Sequence, residues 1–346
     1  MILSVKLDDF SDITDLDPDL VLVKPEPKAA EPKKRRRNVQ WGGALIGLLV
    51  GVSGVLAGRL GHIWPAFDVF SQFTPQFFFL TGAFVVATFV PKLKAFVGLV
   101  LTVLACLIYG LWSQAHTGNI AKGPWELNPG ERAVRVAHFN VFQNNSNLAA
   151  LEAEIARLDA DVITLIEFTP DKSALLSALR PQYPYQFDCS NMSACHLAIL
   201  SKVPLISPDA KSLWDGPPLV SAHLGGPLSG LVVYGVHTTR FPHSRAQLRQ
   251  VAALVKLLES QSGKLLIMGD FNATPYSRVT TTLETGVGVK RLTELPTWPS
   301  FVEIPQLAID HIFASHGIRV LAGQQIGNAS GSDHYPIVMT LGVDLN

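Results

Sequence analysis

The chain has 346 residues, 48% of them hydrophobic, and its 28 Lys and Arg balance its 28 Asp and Glu. That length leaves room for one large core or two modest ones, and the apolar share is high for a wholly soluble protein. From Glu131 onward sixteen Lys and Arg stand against eighteen Asp and Glu, which excludes the markedly basic surface of a nuclease that tracks a duplex.

The leader, residues 1–38, is acidic at first and then rich in Pro, Lys and Ala without periodicity, and a disordered cytoplasmic tail is expected. Its basic run "KKRRR", Lys33 to Arg37, precedes the first apolar run and serves as a topology anchor that also attracts anionic lipid. Residues 39–115 are expected to form an anchor of three transmembrane helices. "WGGALIGLLVGVSGVLAG", Trp41 to Gly58, holds no charge and is long enough to cross about 30 Å of hydrocarbon. The second span runs from about Val69 to Val90, around "PQFFFLTGAFVVATFV", with Asp68 and Gln72 before it. The third, Ala95 to Trp112, contains Cys106 and ends in Tyr109 and Trp112, which suit a membrane interface. Asp68, at a span end, is the one charge on offer, so the spans read as an anchor rather than a transport path.

Lys92 and Lys94 occupy the second loop, whereas the first carries only Arg59. The positive-inside rule then puts the N-terminus and second loop in the cytoplasm and everything after Trp112 outside it. The expected setting is a multi-pass protein of a bacterial-type inner membrane with a periplasmic domain, residues 132–346, joined by a linker, residues 116–131. In that compartment Cys189 and Cys195, flanking "CSNMSAC", are expected to form a disulfide.

The soluble part alternates short β-rich runs with amphipathic ones. "VRVAHFNV" reads as a strand, followed by a helix "LAALEAEIARLDA" that Asn147 can cap. "DVITLIEF", "HLAILS", "LVVYGVHT", "KLLIMGDFN", "IDHIFA" and "YPIVMTL" read as further strands, and "DKSALLSAL" and "SRAQLRQVAALVKLLESQ" as helices. Adjacent strands without a crossover helix, mixed with others that have one, point to mixed sheets covered by helices.

Polar residues stand where these strands give out: Asn140, Glu167, His237, Asp270, Asn272, Asp310, Asp333 and His334. Singly, each is explained as a turn, cap or core residue; together, at strand ends, they are placed to converge on one mouth of the sheets. Asp270 and Asn272 alternate with Phe271, so an extended chain would turn both polar groups to one side and the ring to the core. Carboxylates and an amide are hard oxygen ligands suited to Mg²⁺ or Mn²⁺, and the lack of clustered Cys and His argues against zinc.

The ordered stretches "HFNV", "LIEF", "GVHTTR", "GDFNATP", "IDHIF" and "GSDHYP" resemble the endonuclease/exonuclease/phosphatase superfamily, over essentially the whole soluble domain. The resemblance implies an α+β fold: a four-layer α/β/β/α sandwich of two mixed sheets, here preceded by the three transmembrane helices. It implies that Asn140, Glu167 and Asp333 hold the metal, and that Asp270 and Asn272 orient the nucleophile and the phosphoryl group. Asp310 and His334 would pair beside the attacking water, and His237 would contact the phosphate or donate a proton. "SACHLAILSK" contains no carboxylate to pair with His237, which favours a donor to phosphate over a general acid. Arg240 and Arg245 are candidates for a phosphate fork.

The implied activity is a metal-dependent phosphodiesterase acting outside the cytoplasm, nuclease-like by family. A phospholipid or small phosphoester substrate, and a catalytically silent scaffold, stay open beside it. The expected partners are the phosphoester, whether nucleic acid or lipid head group, and the membrane; no obligate protein partner is inferred.

Overall fold

In the computed structural model the described residues are 33–115 and 126–345, with backbone alone for 33–36. Most of the expected tail and of the expected linker therefore lies outside the described residues. The helical region comprises α1 (Lys33–Leu60), α2 (Asp68–Ser71), α3 (Thr74–Thr88) and α4 (Lys94–Gln114). It is followed by β1 (Glu131–Asn140), α5 (Leu148–Leu158), β2 (Val162–Ile166), α6 (Ala174–Leu179), β3 (Tyr185–Asp188), β4 (Leu197–Ser201), β5 (Leu205–Lys211) and β6 (Leu219–Leu224). The chain continues through β7 (Leu231–His237), α7 (Ser244–Leu258), β8 (Lys264–Asp270), α8 (Arg278–Val287), β9 (Lys290–Arg291), β10 (Asp310–Ala314), β11 (Ile318–Ile326) and β12 (Ile337–Asp344).

The strands form two mixed sheets, ordered β11-β12-β1-β2-β4-β3 and β5-β6-β7-β8-β10-β9. Each has one parallel pair at its centre, β1 with β2 and β7 with β8, and antiparallel neighbours elsewhere. Period-two alternation sorts the side chains of β1. Val134 and Val136 enter the interior between the sheets, where they meet Val233, Leu266 and Met268. Ala137 and Phe139 face the other way, against Leu151 and Ile155 of α5. Helices α7 and α8 cover the second sheet through Val251, Leu254, Val279 and Leu283. Helix, sheet, sheet and helix layers result. Asn147 accepts from the Ala150 N–H as the cap of α5, and Cys189 and Cys195 are bonded to each other.

The helical region departs from expectation at three points. First, α1 begins at Lys33, so the basic run opens a helix instead of closing a tail; Lys and Arg are good helix formers, and neither Pro nor Gly intervenes before Gly42. Second, two helices are individually long and apolar enough to cross a membrane, Arg37–Leu60 and Lys94–Gln114. The expected second span is instead a pair, Pro65–Ser71 and Thr74–Thr88, bent by 61°. Pro75 lies in the first turn of α3, where its missing N–H and fixed φ favour a fresh helix start.

Third, Asp68 is neither span-embedded nor an idle end charge. It is buried against the sheet domain, where its Oδ2 accepts from Ser277 Oγ at 2.6 Å and its Oδ1 from the Arg278 backbone N–H at 2.8 Å. That is the first turn of α8, where a negative charge is favoured by the helix dipole. Gln72, also buried, accepts from the Thr274 N–H at 2.6 Å. Farther on, Ser113 Oγ donates to the Pro296 carbonyl at 2.6 Å, and Gln306 Nε2 donates to the Cys106 carbonyl at 3.0 Å. A Cβ on Gly110 would come within 3.0 Å of the Ile304 carbonyl carbon. The helices thus dock directly on the 274–278 and 296–307 segments.

Replacing Asp68 with Ala removes the two hydrogen bonds to the sheet domain and a third from Ser71 Oγ, and should lower the stability of the full chain in detergent by about 2–3 kcal/mol, read as a shift in the chemical-denaturation midpoint. Asp68→Asn should recover part of that loss. Alkylation without reductant should leave Cys189 and Cys195 unmodified; labelling of both in the native protein would contradict the bonded pair.

Candidate active site

The parallel pairs bring the chemistry together. Asn140 is in register with Ile166, one residue before Glu167, and His237 is in register with Asp270. Antiparallel β10 starts with Asp310 opposite Asp270. The C-terminal ends of β1, β2, β7 and β8 therefore converge on one rim, with the 332–334 segment beside them. His138 and Asn140 continue the phase of Val134 and Val136, so their side chains fall between the sheets rather than under a helix.

A cleft of about 710 Å³ opens at this rim, and its lining includes Glu167, His237, Arg240, Asp270, Asn272, Asp333 and His334. Asn140 lies just beneath. Its Nδ2 donates to Asp270 Oδ2 at 3.0 Å and to Glu167 Oε1 at 3.2 Å, while its Oδ1 accepts from the Phe142 N–H at 3.0 Å. Glu167 Oε2 accepts from the Gln143 N–H at 2.8 Å. Glu167 itself has φ +58°, a left-handed conformation that is uncommon outside Gly and concentrates at functional sites.

Behind the cleft, Asp310 is buried and shared between two imidazoles. Its Oδ2 is 2.8 Å from His334 Nδ1 and its Oδ1 is 3.0 Å from His138 Nε2. Thr297 donates to the same carboxylate, and His138 Nδ1 meets Thr164 Oγ1 at 3.1 Å. This arrangement leaves His334 Nε2 facing Asp270 Oδ2 at 3.7 Å. Burial alone would raise the Asp310 carboxyl, but His334 and the hydrogen bonds from both histidines outweigh it and hold the group well below the usual carboxylate range. Burial alone would lower the His334 imidazole; the Asp310 and Asp270 carboxylates overcome it and push it up to about 10. Asp270 is raised, chiefly by burial. Asp333 is raised by burial and by neighbouring Glu167.

Two expectations are corrected here. Asn272 does not continue an extended strand: β8 ends at Asp270, and Asn272 has φ +46° with its own N–H donating to Asp270 Oδ1 at 2.8 Å. Asn tolerates that left-handed turn, and its Nδ2 donates one hydrogen to the Thr238 carbonyl at 3.1 Å. Arg245 does not share the cleft with Arg240. Helix α7 starts at Ser244, and its first turn carries Arg245 round to a flank with Arg249 and Arg278, beside Pro65.

His237 faces Asp270 Oδ2 at 3.7 Å, so its nearest carboxylate comes from β8 rather than from the strand containing "HLAILS". Sequence reading overlooked His138, Thr297, Trp298 and His196. His138 was legible in principle, since it precedes Asn140 by two on the same strand face. Trp298 and His196 line the cleft from loops, and no local pattern marks them.

The donor set suits a hard divalent cation. One oxygen or nitrogen each from Glu167, His237 and Asp270 lie within 4.8 Å of one another. Asp333 Oδ1 is buried without a hydrogen-bond partner, an orphan acceptor that a cation or its bound water would satisfy. The carboxylates predominate, as Mg²⁺ or Mn²⁺ requires.

Residues 137–334 match the model of the "Endonuclease/Exonuclease/phosphatase family". The fold is similar to an endonuclease/exonuclease/phosphatase family protein from Bacteroides thetaiotaomicron, at 14% identity and TM-score 0.50 over 64% of this chain and 98% of that one. It is similar also to humanized D. rerio TDP2, at 17% identity and TM-score 0.51 over 60% of this chain and 98% of that one. ANGEL2, a 2′,3′-cyclic phosphatase, aligns at 14% identity and TM-score 0.51, covering 66% of this chain and all 100% of its own. Such distant identities establish the fold alone. No curated protein matches the chain.

In metal-free protein His334 titrates higher folded than unfolded. Its stabilisation is therefore complete below about 6.5 and is lost as pH rises through about 10. Asp310, held low, stabilises above about 3.8, and that contribution is lost as pH falls further. Melting temperatures in EDTA should accordingly decline on both sides of neutrality, and His334→Gln should flatten the alkaline decline.

Proposed function

The chain belongs to the endonuclease/exonuclease/phosphatase family, and we propose that it is a divalent-metal-dependent phosphodiesterase held at a membrane with its active site on the non-cytoplasmic side. The observation that carries this reading is the Asp310–His334 pair, with His334 Nε2 turned toward Asp270 at the floor of the cleft. Members of this family are hydrolytic phosphoesterases that use divalent metals.

Glu167 and Asp270 would hold the cation, with Asn140 fixing both carboxylates and Asp333 reaching it directly or through water. When bound, the ion supplies Lewis-acid polarisation of the phosphoryl oxygens. The protein's own groups do the rest. Asp310 accepts from His334 Nδ1–H, which fixes the tautomer and leaves Nε2 to take a proton from water. Asp310 and Asp270 together favour the protonated imidazole; were Asp270 engaged in holding the cation, Asp310 would be the remaining counter-charge and the imidazole would fall toward neutrality. Asn272, pinned by Asp270 and Thr238, and Arg240, at the cleft wall, are placed to orient the phosphoryl oxygens. His237 stands across the cleft as a donor to the phosphate or the leaving oxygen. Arg245 has no part in this.

Three crossings suit the anchor, with the bent pair as the middle one. The end of α1, the start of α3 and the end of α4 then share one side, and each of the last two bonds to the sheet domain, α3 through Gln76 and α4 through Ser113. Cytoplasmic Lys92 and Lys94 and a periplasmic catalytic domain follow from the positive-inside rule. Among substrates, nucleic acid remains the family's common one, but the near-neutral domain favours a lipid or small phosphodiester over duplex DNA.

The full chain in detergent should hydrolyse bis-p-nitrophenyl phosphate with Mg²⁺ or Mn²⁺ and lose that turnover in EDTA. His334→Ala should cost about 10²–10⁴-fold in kcat, and Asp270→Asn a comparable factor, with unchanged circular dichroism. Metal-independent turnover, or full activity in His334→Ala, would refute the mechanism.

A further inference from the structure

A second hollow, of about 500 Å³, lies on the helical side of the catalytic cleft. Phe73 of the 72–74 turn and Val103 and Leu107 of α4 form one wall; Val302, Ile304 and Leu307 form the other. Trp298 lines both this hollow and the catalytic cleft. Phe73 meets Phe241 edge to face with ring centres 5.9 Å apart, and Phe241 also lines the cleft. An apolar chamber and a polar, phosphate-suited chamber therefore share a wall.

The chamber's depth follows from the contacts of the 296–307 segment with α4. Pro296 is bonded at Ser113 and Gln306 at Cys106, seven residues apart, so at 1.5 Å per residue the segment runs about 10 Å down the helix. A loop of the sheet domain thus flanks the stretch of α4 that hydrocarbon would surround if α4 spans the membrane. On that loop Phe301 is 73% exposed and Val302 46%. Large apolar side chains so placed fit acyl chains rather than water.

We propose that this hollow receives a hydrocarbon chain of a bilayer phospholipid whose phosphodiester lies in the catalytic cleft, with Trp298 at the junction of tail and head group. The proposal rests on the phosphodiesterase reading and adds its substrate class, a long-chain phosphodiester lipid drawn from the surrounding leaflet. Continuity through Trp298, the descent of the loop along α4 and the apolar lining each fit that occupant. A nucleic acid would leave the hollow without purpose.

The test uses the full chain reconstituted in vesicles of phosphatidylethanolamine and phosphatidylglycerol, with and without dibrominated acyl chains, first in EDTA. Bromine quenching of the Trp298 fluorescence, taken as the difference between wild type and Trp298→Phe, should be strong. It should fall in Thr102→Phe and in Cys106→Phe, which fill the hollow from α4. With Mg²⁺, wild type should cleave the vesicle lipid in preference to its deacylated glycerophosphodiesters. The two filling variants should lose about tenfold or more on the lipid while keeping wild-type turnover of bis-p-nitrophenyl phosphate. Quenching that ignores both filling variants would overturn the hollow as a chain site, as would undiminished lipid cleavage in those variants. Quenching that obeys them, with no turnover of any phosphodiester, would instead overturn the catalytic reading and leave the lipid site standing.

Discussion

A carboxylate buried beyond the reach of water must be compensated where it stands, and Asp310 is such a group. Two imidazoles and a threonine hydroxyl meet it, and they come from β1, the 295–300 segment and the 332–334 segment, across both sheets. Removing any one would leave part of a charge unpaired at low dielectric, at a cost of several kcal/mol. The pairing therefore ties the two sheets together at the rim where the strands end. It also holds His334 by Nδ1 and turns Nε2 toward the cleft, 3.5 Å from Asn140 Nδ2 and 3.7 Å from Asp270 Oδ2. The interaction that closes the sandwich is the one that orients the His334 ring.

Around this pair the carboxylates are kept apart by amide donors rather than by cations. Asn140 bridges Glu167 and Asp270, and backbone N–H groups of Gln143 and Asn272 satisfy the remaining oxygens. Such a set is pre-organised but underneutralised, with Asp270 and Asp333 both raised in pKa. Glu167 and Asn272 are both left-handed, so backbone strain falls on two residues that line the cleft.

The helical region is bonded to the segments that flank the site. Asp68 and Gln72 hold the segment that follows the Asp270–Asn272 turn, and α4 holds the segment carrying Thr297 and Trp298. Two of the segments beside the cleft are thus each bonded to the helical region. Loops so anchored lose the local freedom that exposed connections have. The position of the cleft relative to the helices is accordingly part of the fold.

Much of this protein could be read from sequence. The apolar runs, the alternation in "VRVAHFNV", the cap at Asn147 and the polar residues at strand ends all depend on local periodicity and on the ordered motif set. Those signals marked the sheet strands near the site and all eight strand-end residues, six of which line the cleft, with Asn140 just beneath it and Asp310 behind. What only the tertiary structure decided has a common physical origin in non-local contact. Arg245 left the cleft because the turn before α7 sets the phase of that helix. Asp68 became a structural acceptor because Ser277 and Arg278, more than two hundred residues away, supply its donors. His138 joined the site because Asp310 lies across the sheet interface from it. Residue type and spacing determine which groups a strand end can offer, but the partners that orient and charge them come from distant segments, which no window of sequence contains.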